Sequence, residues 1–273
     1  MSASRKKAQR NIRKLQKELR EWRDCSATQQ QLSDAQERLN RYVEGKSVSA
    51  STTFEILGNQ FLTRGSLSVL SGDHSGWSGV DLGYRCYRAA ILLGGSRTLS
   101  LAGAVVAHAG AANRGGDLEE LTDILEEIYK FHAGSWDFHA GYQIVPFALA
   151  FQNRDHKRED LGEYSEILSG WRDSERMERL LEDLADRHLT QAVDRGSNEP
   201  EFANGYELLP VELLWVQRCR FSLGLELVEV DHPLLELNTS QPPDPWPDSS
   251  GSQDWVLLAL ERAESRRESE KIL

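Results

Sequence analysis

Three copies of the tripeptide His-Ala-Gly, beginning at His108, His132 and His139, are the residues of this 273-residue chain whose type and recurrence most invite a chemical reading. Imidazoles serve as metal ligands and as proton carriers near neutral pH. The spacing decides against a shared metal. On one continuous helix His132 and His139 would stand two turns apart, roughly 10 Å along the axis, and Gly134-Ser135 interrupts that helix. No His-Glu-x-x-His pair occurs. The reading is therefore no metal and no cofactor, with core or helix-end histidines as the simpler account. A small-molecule pocket around His132, Asp137, His139 and Tyr142 is the enzymatic alternative.

A second concentration of reactive types lies in Ser71-Gly72-Asp73-His74-Ser75-Gly76-Trp77-Ser78-Gly79. Neighbouring side chains diverge, so they do not form a triad, which requires convergence from separate segments. The segment lacks Gly-Lys-Thr and the strained Gly-x-Ser-x-Gly elbow, and it reads as a turn. No catalytic residue is assigned.

Carboxylates and aromatics offer binding chemistry instead. Glu119, Glu120, Asp123, Glu126 and Glu127 fill the polar face of an amphipathic helix from Asp117 to Phe131, opposite Leu118, Leu121, Ile124, Leu125 and Ile128. Trp136, Phe138 and Tyr142 follow closely. Aromatic anchors ringed by charge suit a protein interface; the same rings would also suit a core corner.

The charge is unevenly distributed. Residues 1–23 carry nine Lys/Arg against two Asp/Glu, whereas the remainder carries 23 against 41, giving −11 for the whole. An acidic body repels phosphates and attracts basic proteins, which argues against nucleic acid as a partner. Within the basic arm, Ile12, Leu15, Leu19 and Trp22 follow 3–4–3 spacing and form a narrow apolar seam. A polyanion tail would not need that seam. Pairing with another helix, in cis or in a homodimer, explains seam and charge together and admits an oligomeric adaptor as a further alternative.

These features sit on a succession of helices. Residues 1–45 form the arm with a bend at Asp24-Cys25-Ser26, 46–53 a polar linker, and 54–273 an acidic helical body with a Pro/Ser-rich loop at 239–253. Within the body, helices are expected from Asp81 to Leu93, Leu99 to Asn113, 136–152 with an interruption at Pro146, 160–193, Tyr206 to Phe221, and from Trp255 onward. Leu225 to Val230 alternates as one short extended segment. The expected fold is an all-α bundle with a projecting N-terminal helix. No apolar run is long enough to span a membrane. Three widely separated cysteines and the lack of a secretory h-region point to reduced thiols in the cytoplasm.

The segment Gly205-Tyr206-Glu207-Leu208-Leu209-Pro210-Val211-Glu212-Leu213-Leu214, with Arg218, Gly224 and Val230-Asp231-His232-Pro233-Leu234-Leu235, resembles the C-terminal part of all-α immunity proteins from bacterial polymorphic toxin systems. The resemblance covers residues 205–235 in detail. It implies a non-enzymatic cytoplasmic protein that neutralises a cognate toxin by tight binding. An acidic body fits a basic toxin surface, since complementary charge steers association.

Overall fold

A computed structural model describes residues 3–46, 49–94, 101–131, 143–154, 156, 161–193, 202–247, 249 and 253–271. The described residues are all-α, with eleven helices and no strand: α1 (Ala3–Asp24), α2 (Ser26–Val43), α3 (Ala50–Leu70), α4 (Gly76–Leu92), α5 (Ala102–Ala111), α6 (Gly115–Phe131), α7 (Ile144–Phe151), α8 (Tyr164–Gly170), α9 (Ser174–Val193), α10 (Val211–Ser222) and α11 (Asp254–Lys271). The break at Cys25 falls at the bend expected at Asp24-Cys25-Ser26. Pro146 does not interrupt α7; it occupies the first turn, where no intrahelical N–H is required. No helix among the described residues is long and apolar enough to cross a membrane.

The chain forms two compact units, each discontinuous: 1–15 with 100–241, and 16–99 with 242–273. The division thus falls inside α1 rather than at the polar stretch after residue 45, and α3 already begins at Ala50.

In the unit containing 100–241, α5 is the central element. Every residue from Ala102 to Ala111 is buried, and α6, α7 and α10 pack around it. Gly110 lies under the Trp215 indole, where a Cβ would stand 2.1 Å from Nε1. The absence of a side chain there lets α10 approach closely. Phe147 continues the core, with its ring 5.0 Å from those of both Tyr164 and Trp215. The first turns of α1 belong here too. Ala8, Ile12 and Leu15 are buried, Arg5 pairs with Asp231 at 2.6 Å and with Glu236, and Ser4 donates to Asp186 at 2.7 Å. The N-terminal helix expected to project is therefore seated along its seam.

In the other unit, α3 and α4 form the closest helix pair, with α2 on α3 and α11 on α2 and α4. Glycines set this approach. A Cβ on Gly65 would meet the Val80 nitrogen at 2.5 Å, and one on Gly83 the Leu62 nitrogen at 2.5 Å. Gly76 and Gly79, expected in a loop, lie inside α4 for the same reason. The Ser/His/Asp segment is the turn between α3 and α4: Asp73 accepts the Ser75 N–H at 3.0 Å and the Ser68 hydroxyl at 2.8 Å. Those hydrogen bonds hold its carboxyl below the usual carboxylate range. The Pro-rich loop is tied down where it is described. Ser249 donates its N–H to buried Asp81 at 3.1 Å, and Trp246 meets Trp77 edge-on at 5.0 Å.

Candidate functional site

The acidic helix α6 is anchored by Leu121 and Leu125, both fully buried, so its opposite face is held on a rigid support. On that face Glu119 and Asp123 are exposed, while Glu120 and Glu126 are half-buried. The structure also supplies a cation that the sequence did not reveal. Arg154, just beyond α7, lies 2.6 Å from Asp123 and 3.1 Å from Glu126. The hydrogen bond that Arg154 donates to Asp123 is the largest of the causes that raise the guanidinium above its ordinary range. Arg154 sits there because Asn153 takes a left-handed conformation (φ 56°) that closes α7, and Arg154 N–H returns to the Leu149 carbonyl at 2.8 Å. The site is thus a carboxylate ridge in which Asp123 and Glu126 already hold one guanidinium. Chemically, such a ridge can accept hydrogen bonds from Lys or Arg groups.

Trp136, Phe138 and Tyr142 lie outside the described residues, as do His132, Asp137, His139 and the side chain of Glu127. Of the three His-Ala-Gly histidines, only His108 is described. It is fully buried in α5, its Nδ1 3.3 Å from the Tyr206 hydroxyl. Burial, with a smaller contribution from Arg114, holds its imidazole well below the ordinary histidine range. His108 is a neutral core residue.

The more elaborate polar group was not anticipated. His188 in α9 and Glu212 in α10 are both completely buried, with Nδ1 and Oε1 2.7 Å apart. Nε2 lies 3.2 Å from the Glu207 carbonyl, which only accepts, so this nitrogen carries a proton. Phe202 stacks on the imidazole at 4.1 Å, and Glu207 accepts the Gly205 N–H at 2.8 Å. The glutamate of Pro210-Val211-Glu212 is therefore a structural acid, and the signal for its partner was the lone His188 on the buried face of α9. No group of three or more His, Cys, Asp or Glu able to hold a metal occurs among the described residues.

Set against protein-family models, curated proteins and solved structures, the chain matches none. The functional argument therefore rests on the geometry of this chain.

Proposed function

We propose that the chain is a protein-binding inhibitor of the immunity type, which neutralises a basic bacterial toxin in the cytoplasm through the carboxylate ridge of α6. The observation that carries this reading is the ridge itself. Glu119, Glu120, Asp123 and Glu126 stand on two turns of a helix whose other side is buried, and Arg154 already satisfies two of them as a partner's cation would. Such charge acts mainly on association rate and is screened by salt. The net charge of −11 reinforces attraction of a basic partner at longer range.

The test is a pull-down from the native host with the whole chain as bait, followed by association kinetics with the recovered partner. Glu119→Lys with Glu120→Lys should slow association about tenfold at low salt and much less at high salt. Unchanged rates would remove α6 from the interface.

A further inference from the structure

Three of the four large apolar side chains that stand exposed among the described residues fall within seven positions: Phe221 (63% exposed), Leu223 (52%) and Leu227 (60%). They surround the end of α10 and the run that follows it. From Leu225 to Val230 the chain is neither helix nor turn, and a bond from the His232 N–H to the Val230 carbonyl at 2.9 Å closes the run. One side of its backbone is satisfied by side chains of α10. Gln217 behaves like a strand neighbour to Val228, donating Nε2–H to its carbonyl at 2.5 Å and accepting its N–H at 3.1 Å. Arg220 donates through Nε and a terminal nitrogen to the Glu226 carbonyl at 3.1 and 3.0 Å.

Alternate residues of an extended chain turn their backbone groups to opposite sides. Glu226 and Val228 face α10, so Leu227 and Glu229 face away. Neither Leu227 nor Glu229 makes a backbone hydrogen bond among the described residues. The backbone groups of Leu227 and Glu229 are therefore open to a partner, although the run belongs to no strand.

We infer that Leu225–Val230 is a docking edge for an extended segment of a partner protein that alternates apolar and basic residues and adds to it as a β-strand. Backbone pairing to Leu227 and Glu229 would supply affinity, as in strand addition generally. The side chains define the occupant. Leu227, Phe221 and Leu223 offer apolar contact, while the Glu226 and Glu229 carboxylates are exposed and have no ion-pair partner within the described chain. Asp231, two residues beyond Glu229, already accepts the Arg5 guanidinium. Opposed charges and apolar pairs across a ladder each favour pairing. This surface is separate from α6, and its test does not depend on α6 binding anything.

The experiment is residue-resolved amide exchange by NMR on the whole chain, with and without an acetylated, amidated decapeptide of alternating valine and lysine. Exchange at Leu227 and Glu229 should slow at least tenfold on peptide addition while Val228, already bonded to Gln217, stays unchanged. Leu227→Pro, which removes one donor, should weaken binding about tenfold, whereas Leu227→Thr should retain most of it. Peptide binding without protection of these two amides would overturn the inference. So would equal binding of a valine–glutamate peptide. Concentration-dependent protection in the free protein, with the mass of a dimer, would assign the edge to a second copy and overturn the stated occupant.

Discussion

Several ionisable side chains in this molecule sit where there is little water to support a charge, and each therefore has a measurable signature. Arg220 is 1% exposed and is held by oxygens alone: the carbonyls of Glu226 and Trp171 and the Ser174 hydroxyl. Burial draws its guanidinium below the ordinary arginine range, but the ring of acceptors keeps the cation in place. Arg220→Met should cost about 3 kcal/mol in urea unfolding, because it orphans the part-buried carbonyls of Glu226 and Trp171 as well as losing charge-assisted bonds. A cost near zero would mean that water replaces the guanidinium. His108 yields a pH signature. Its folded pKa is lowered, so below about pH 6.5 the unfolded chain takes up a proton that the folded chain refuses. The neutral imidazole is compatible with folding above that pH, and stability declines as pH falls. The decline attributable to this residue should approach about 1.4 kcal/mol per pH unit well below pH 6.5, seen as a steeper pH dependence of wild type than of His108→Gln in thermal melts between pH 5 and 7. The thiols separate by exposure in the same way. Cys25 is exposed, Cys219 is pushed up to about 12 by burial, and Cys86 is raised further. A thiol reagent should titrate one cysteine in the native protein, and the other two only after unfolding.

Helices are placed here by what their smallest residues allow. Gly65 of α3 faces Val80, Gly76 and Gly79 of α4 with no room for a methyl group, its virtual Cβ lying 2.5–2.8 Å from their backbone atoms. Backbone atoms do not move aside as a flexible side chain would, so Gly65→Ala should cost about 3 kcal/mol, roughly a 10 °C loss in Tm. Gly116 in α6 has open space around its virtual Cβ, and there alanine should add about 0.5–1 kcal/mol through helix propensity. Opposite signs for these two substitutions would separate packing from propensity; a loss at both would refute the assignment. The same physics explains what could be read from the sequence. The helix α6, with one apolar face, announced itself by period, whereas 160–193 was read only as helical, and the structure divides it into α8 and α9. The helix α3 did not announce itself. It buries Thr53, Gln60, Thr63 and Ser66 as well as Phe54 and Leu57, so its apolar period is blurred. Its glycines, like those of α4, imitate turn signals. Within the candidate site, the carboxylates of α6 were legible from their alternation with leucine. Arg154 was not, since it comes from a segment 28 residues beyond Glu126 and only the tertiary fold brings the two together. For the His188–Glu212 pair the only sign was a histidine on the apolar face of α9; its partner, 24 residues on, is brought to it by the fold.

At the scale of the whole molecule, the charge asymmetry between the first 23 residues and the rest becomes a question of what seats α1. Two forces act on its first turns. Arg5 meets Asp231 and Glu236, but those carboxylates are 86% and 52% exposed, and solvent-screened pairs contribute little. Ile12 and Leu15 are 6% and 1% exposed, and burying each such side chain is worth roughly 1.5–3 kcal/mol. The seam therefore outweighs the salt bridges, and the basic residues Lys6, Lys7, Arg10 and Arg13 are turned outward as a solvated face. The consequence is a difference between two substitutions. Leu15→Ala should destabilise the protein by about 2–4 kcal/mol with little dependence on salt, whereas Arg5→Ala should change stability far less, and only at low ionic strength. An oligomer assembled through the seam would behave differently, since Leu15→Ala would then lower the mass of the assembly and make stability depend on protein concentration. Sedimentation of both variants alongside urea unfolding distinguishes the cases. A seam already buried within its own chain predicts an unchanged mass for both, with the stability loss confined to Leu15→Ala.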